Sequence, residues 1–173
     1  MITIDLKQQI RNIPDFPKPG ILFYDITTLL RDPQGFKATI DSLSMPYANK
    51  GIELIIGIES RGFILGAAVA ERLGAGLIPV RKPGKLPAKA IKETYSLEYG
   101  QDSLEIHEDA LERGEKVLIV DDVLATGGTA AAAAQLVRKL GADLKGLAFL
   151  IELVLLNGKS RLTSEQVYSV LQY

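Results

Sequence analysis

Four short aliphatic runs, 52–58, 76–80, 116–120 and 146–153, constrain this chain more than any other feature. Each is rich in Ile, Val or Leu and lacks the polar alternation of a strand with one wet face. Runs of that kind suit strands buried on both sides, as in a parallel sheet. Between them, 63–73 and 129–140 repeat apolar residues at helical spacing, and Gly74 and Gly141 follow in the position that closes a helix. Repetition of strand, helix and strand predicts an α/β fold with a central parallel sheet flanked by helices.

The flanking segments are less regular. Ile4, Leu6 and Ile10 predict a short N-terminal helix, stopped by the three prolines of 14–20, after which an irregular arm is expected. Residues 36–45 follow Asp32-Pro33, stop before Pro46 and predict a helix. In 94–107, Tyr95, Leu97 and Tyr99 alternate before Gly100, and Leu104 and Ile106 after it, a period of two that predicts a β-hairpin or edge extension. With 173 residues the chain is expected to be one domain over 1–173, residues 1–31 forming an N-terminal helix and hood.

Composition removes several function classes. There is no cysteine and one histidine, His107, which excludes a disulfide framework, a Cys-type zinc site and a cysteine nucleophile. Lys plus Arg total 20 against 21 Asp plus Glu, so no global charge favours nucleic acid or an anionic membrane as partner. No apolar run approaches membrane-spanning length, and 1–12 carries Asp5, Lys7 and Arg11 where a signal peptide would be apolar. A soluble, unprocessed, cytoplasmic protein is the expectation.

The chemistry concentrates in 117–129, VLIVDDVLATGGT. A buried strand is expected to end in Asp121 and Asp122, after which a small glycine loop opens a helix. Ala125, Thr126, Gly127, Gly128 and Thr129 can offer backbone N–H groups and two hydroxyls to a phosphate at a helix N-terminus, where the dipole also favours an anion. Two carboxylates beside a phosphate would repel it, so they are expected to face sugar hydroxyls or a divalent cation held by the ligand. A ribose phosphate satisfies every group. An isolated acid pair could also cap the following turn.

Two further segments bear on the same crevice. Glu59-Ser60-Arg61-Gly62 stands between the first buried strand and a helix, at the same carboxyl edge of the sheet. A serine hydrolase elbow would need glycine where Ile58 stands, with His107 as the only histidine base. Arg81, Lys82, Lys85, Lys89 and Lys92 form a basic run that Pro83, Gly84 and Pro87 keep from being helical. Such a run is either a solvated face or a mobile lid that closes over an anion and excludes water. No G-x-x-x-x-G-K-[ST] is present to bind a nucleoside triphosphate, and Gly74-Ala75-Gly76 lacks the third glycine of a dinucleotide loop.

Residues 117–129 resemble the 5-phosphoribosyl-1-pyrophosphate (PRPP) motif of type I phosphoribosyltransferases. FPKPGILFYDI at 16–26, ESRGF at 59–63, RKPGKLP at 81–87 and YSLEYG at 95–100 resemble the blocks of those members of the family whose base is adenine. Tyr24 stands where several relatives have Arg, and Glu59 where others have Asp. The resemblance implies conversion of adenine and PRPP to AMP and pyrophosphate, in a fold with an N-terminal base-binding hood and a β-hairpin lid. It implies that Asp121 and Asp122 hold the ribose hydroxyls and that Ala125 to Thr129 hold the 5-phosphate. Glu59, Ser60, Arg61, Lys82 and Lys85 would face pyrophosphate with Mg²⁺, which PRPP itself would mainly hold, with no direct protein ligand assigned. Arg81 would join that set across a subunit interface.

By the same resemblance, Glu98 is the acid/base near adenine N7, and Leu124 with Leu22 or Phe23 sandwiches the ring. The C=O of Leu22 and the N–H of Tyr24 would read its edge, and the assembly would be a homodimer without nucleic acid or membrane. Attack of adenine N9 on ribose C1 needs no protein nucleophile if the transition state is oxocarbenium-like, in accord with the lack of one. A transferase for another purine and a non-catalytic PRPP-sensing regulator are the alternatives at this stage. The regulator would need a DNA-binding module, for which about 20 residues before the hood are too few.

Overall fold

The computed structural model describes residues 4–96 and 100–173, which divide between Ser42 and Leu43 into two compact units. In the first, a single 3₁₀ turn at Leu6–Gln9 replaces the expected N-terminal helix, because Ile10 leaves helical geometry and the chain turns extended. Strand β1 (Arg11–Ile13) then pairs antiparallel with β2 (Phe23–Asp25), Arg11 opposite Asp25 and Ile13 opposite Phe23. The proline-rich stretch between them, expected as an irregular arm, is thus the connection of a small hairpin.

Asp25 fastens that hairpin to the short helix α1 (Thr27–Arg31). Its carboxylate accepts the backbone N–H of Thr27 at 2.9 Å, the Arg11 side chain and the Thr27 hydroxyl. These donors hold its pKa down to about 2. Helix α2 (Pro33–Ser44) begins at the Asp32-Pro33 start signal, three residues before the expected 36.

The second unit is built on β3 (Leu54–Ile58), β4 (Gly76–Val80), β7 (Lys116–Leu124), β8 (Asp143–Glu152) and β9 (Val167–Gln172), with hairpin strands β5 (Ala90–Ser96) and β6 (Gln101–His107) preceding β7. The five-stranded sheet runs β4-β3-β7-β8-β9 and every pair is parallel. Four of its strands contain the aliphatic runs. β9, read VYSVLQ, escaped notice because it is a partly exposed edge strand in which Ser169 and Gln172 interrupt the aliphatic pattern. β7 continues beyond the expected end at 120, so the acid pair lies inside the strand, and Val123 and Leu124 still pair with Ile151 and Glu152.

Topology places the crevice. From β3 the chain crosses through α3 (Arg61–Leu73) outward to β4; from neighbouring β7 it crosses through α4 (Gly128–Leu140) in the opposite direction to β8. Right-handed crossovers in opposite directions put the two helices on opposite faces, which opens the sheet at the carboxyl ends of β3 and β7. Ile56 and Ile58 accordingly join the core under α4, while Gly57 lies so close to α3 that a Cβ on Gly66 would be 3.3 Å from its Cα. Ala132, Ala133 and Ala134 of α4 are buried in the core on its face of the sheet.

The hairpin is expected at 94–107 but starts at Ala90, so Lys92 belongs to β5 and not to the basic loop. Leu104 and Ile106 are fully buried in the core beneath α4. The body of the hairpin is therefore a packed element. Leu104→Ala should destabilise the protein by about 2–5 kcal/mol, against less than about 0.5 kcal/mol for Ser103→Ala, as read from urea denaturation.

Candidate active site

Three connections converge on the carboxyl edge of β3 and β7: the turn after β3, the turn after β7, and the basic loop after β4. The turn after β7 is set by close backbone approach. Gly127 has φ +81°, and a Cβ on it would lie 2.3 Å from the carbonyl oxygen of Gly158. Only glycine meets both conditions. Thr126, Thr129 and the loop backbone line a small recess that also includes Asp121, Leu124 and Phe149.

Adjacent strand residues point to opposite faces, and the acid pair obeys this. Asp121 lies in the recess on the α4 side. Asp122 is buried, and its Oδ2 lies 2.7 Å from Arg61 Nε at the start of α3. That contact is charge attraction, since no N–H is aimed at the oxygen. Gly62 lets α3 start this close: a Cβ there would meet Asp121 Oδ1 at 2.7 Å. Burial pushes both carboxyls above the ordinary aspartate range; the Asp122 charge pushes Asp121 further, while Arg61 offsets part of the rise at Asp122.

Glu59 and Ser60 join β3 to α3 through a cis peptide. The Glu59 carboxylate accepts from Arg81 Nε at 3.2 Å, from Arg81 Nη2 at 3.1 Å and from the backbone N–H of Lys82 at 2.9 Å. The Arg81 guanidinium, foremost, holds its pKa below the ordinary range. Arg81 also donates to the carbonyl of Lys85, so the basic loop is tied to the turn after β3 at its first residue.

A phosphoribosyl transferase domain matches residues 27–172. The adenine phosphoribosyltransferase of Koribacter versatilis is 58% identical over 168 residues, covering 97% of this chain and 92% of its own. A crystal structure of the Thermoanaerobacter pseudethanolicus adenine phosphoribosyltransferase superposes with a TM-score of 0.94 at 49% identity, covering 97% of this chain and 98% of that one. The Saccharomyces cerevisiae enzyme, solved with adenine and D-2,5-dideoxy-2,5-imino-altritol 1,6-bisphosphate, gives 0.91 at 44% identity, with 96% of each chain covered. The chain belongs to the phosphoribosyl transferase family, among its adenine phosphoribosyltransferases.

Within this member of the family, the structure brings Glu59, Arg61, Arg81, Lys82, Asp121, Asp122 and 125–129 to one sheet edge. Leu124 ends β7 there. Phe23 and Tyr24 lie in β2 of the first unit, and Leu22 just before it, with Phe16 edge-on to Phe23 at 5.1 Å between ring centroids. Glu98 lies outside the described residues. Sequence reading missed Tyr95 and Asp102, whose side chains meet Lys82, and the 158–161 turn. In that turn Gly158 abuts Gly127, and an Arg161 Nη lies 3.6 Å from where a Cβ on Gly128 would stand. Asn157-Gly158 was the available signal, an N-G turn followed by two cations.

Two of the glycines at positive φ separate strain from crowding. Gly127→Ala should cost about 2–4 kcal/mol, adding a clash to backbone strain, whereas Gly84→Ala, at φ +75° in open space, should cost only about 1–2 kcal/mol. Urea denaturation of the two variants measures the difference.

Proposed function

We propose that this chain transfers the 5-phosphoribosyl group of PRPP to N9 of adenine, giving AMP and pyrophosphate, as the names of its relatives indicate. The observation that carries this reading is the passage of β7 through Asp121 and Asp122 into a glycine loop that opens α4. Ala125 to Thr129 bind the 5-phosphate through backbone N–H groups and the hydroxyls of Thr126 and Thr129, at the positive end of the helix dipole. Asp121 and Asp122 accept from the ribose hydroxyls. Ser60 and Arg61, with Lys82 and Lys85, face pyrophosphate, while Glu59 holds Arg81 and the start of the basic loop beside it.

No nucleophile is required, since the chain positions N9 against C1 and stabilises the charge that separates there. Mg²⁺ fits this donor set as an ion shared with the ligand. Among the described residues no group of three or more acidic, His or Cys side chains could hold a metal alone. An ion bound through one or two carboxylates with substrate oxygens is ordinary for Mg²⁺. When bound it would neutralise leaving pyrophosphate.

Glu98 relays the proton lost from adenine, and Leu124 with Leu22 or Phe23 packs on the base. The same reading includes a homodimer, supported by the apolar Ile64 and Leu77 left exposed on α3 and edge strand β4. It also includes a cytoplasmic location, in accord with a chain lacking cysteine.

AMP formation from adenine and PRPP, with and without Mg²⁺, tests the assignment. Asp121→Asn should weaken PRPP binding by about 1.5–3 kcal/mol as a charge-assisted acceptor is lost; an unchanged affinity would remove Asp121 from the site. Recognition of adenine by the C=O of Leu22 and the N–H of Tyr24 predicts discrimination against hypoxanthine. Its O6 and N1–H invert both contacts, so kcat/KM should fall by about 10²–10⁴. Comparable values for the two bases would shift the assignment to another purine.

A further inference from the structure

Tyr95 on β5 and Asp102 on β6 are register partners, and neither has a part in the reaction as proposed. Between them they occupy two groups that do. Lys82 Nζ forms an ion pair with Asp102 Oδ2 and lies 3.2 Å from Tyr95 Oη. The Tyr95 hydroxyl donates to Asp102 Oδ2 at 3.2 Å and accepts from Thr129 Oγ1 at 3.2 Å. Asp102 Oδ1 accepts the backbone N–H of Ser103 at 2.7 Å, which fixes the carboxylate on the hairpin.

The electrostatics are those of an engaged pair. Lys82, foremost, holds the Asp102 carboxyl below the ordinary range. Burial works against the Lys82 charge, yet Asp102 and Tyr95 outweigh it and hold the ammonium above its ordinary value. In the ligand-free protein the Lys82 charge is thus neutralised, and the Thr129 hydroxyl is spent on Tyr95.

We propose that Asp102 is a specificity-determining residue of the anion site, which it governs by engaging Lys82 directly and Thr129 through Tyr95. A single inorganic phosphate at the turn after β7 takes the Thr129 hydroxyl from Tyr95 but leaves Lys82 on Asp102, and it faces the Asp102 charge. A ligand with phosphate groups at both ends, as PRPP has, replaces both engagements at once. Asp102 therefore selects against small anions in favour of the doubly phosphorylated substrate. The inference rests on the functional reading above, because it takes Thr129 and Lys82 as ligands of the two ends of PRPP.

Asp102→Asn removes the charge at nearly constant shape. Titration of the full-length protein with inorganic phosphate at low ionic strength should show binding tightened by about three- to tenfold, the scale of one partly exposed charge. Phosphate should then inhibit AMP formation competitively with PRPP at correspondingly lower concentration, while KM for adenine stays unchanged. Asp102→Glu should return phosphate affinity to the wild-type value. Asp109→Asn, the same change of net charge at an exposed position, should leave it unmoved.

Tyr95→Phe, which frees the Thr129 hydroxyl but keeps the Lys82–Asp102 pair, should tighten phosphate binding by a smaller factor. A misfolded variant loses affinity, so a gain cannot arise from structural damage. Unchanged or weakened phosphate binding in Asp102→Asn, or equal tightening in Asp109→Asn, would overturn the inference. Absence of AMP formation by the wild-type protein would instead overturn the functional reading, and the two failures are read in separate measurements.

Discussion

The pairing of β3 with β7 is the constraint on which the second unit depends. Leu54 to Gly57 lie in register with Val117 to Val120, so the two strands deliver their following turns to the same height at the same edge. Because the chain leaves them in opposite directions, the two crossover helices lie on opposite faces and a crevice opens at that edge. Close approach does the rest. Gly57 and Gly66 let α3 sit on β3, and Gly62 lets its first turn overhang Asp121. Any side chain at these glycines would move α3, and with it Arg61, away from Asp122.

Charge in the ligand-free site is balanced within the chain. Arg61 is paired with Asp122, Arg81 with Glu59 and Lys82 with Asp102. Each of these cations stands, on the proposed reading, among the groups that surround pyrophosphate. Each is also about a third exposed, at 33%, 32% and 39% of its side-chain area. Only the Lys82–Asp102 pair is also exposed on its carboxylate, at 31%; such pairs contribute roughly 0–1 kcal/mol, so exchanging Asp102 for a phosphate oxygen costs the protein little, whereas Asp122 and Glu59, at 8% and 18%, depend more on their cations. The partners keep the cations placed and prevent mutual repulsion.

What was legible in the sequence follows the same physical division. β3, β7 and β8 are buried on both faces and so appear as unbroken aliphatic runs; β9 is half-exposed, and its Ser and Gln hid it. The β1–β2 hairpin was invisible because three-residue strands carry too little pattern, and its connection reads only as a proline cluster. The phosphate loop was legible because backbone geometry there demands glycine, a requirement written locally in sequence. The ion pairs were not, because Glu59 meets Arg81 across 22 residues and Lys82 meets Asp102 across 20. Charge pairing at that separation exists only after β4 and the hairpin have been folded into place.

The acid pair shows how one local misreading can conceal a division of labour. Taken as the end of a strand, Asp121 and Asp122 look like two equivalent acceptors on one turn. Inside β7 they face opposite sides, and their surroundings differ: one looks into the recess with the loop hydroxyls, the other is matched to Arg61. Burial raises both pKa values, and Arg61, which lies against Asp122 Oδ2, works against the rise at both. A ligand brings Asp121 further partners, donating sugar hydroxyls or a ligand-held Mg²⁺. On the proposed reading burial disfavours the charge on both carboxylates in the free site, and donors brought by the substrate favour it at Asp121, so that binding and ionisation there favour each other.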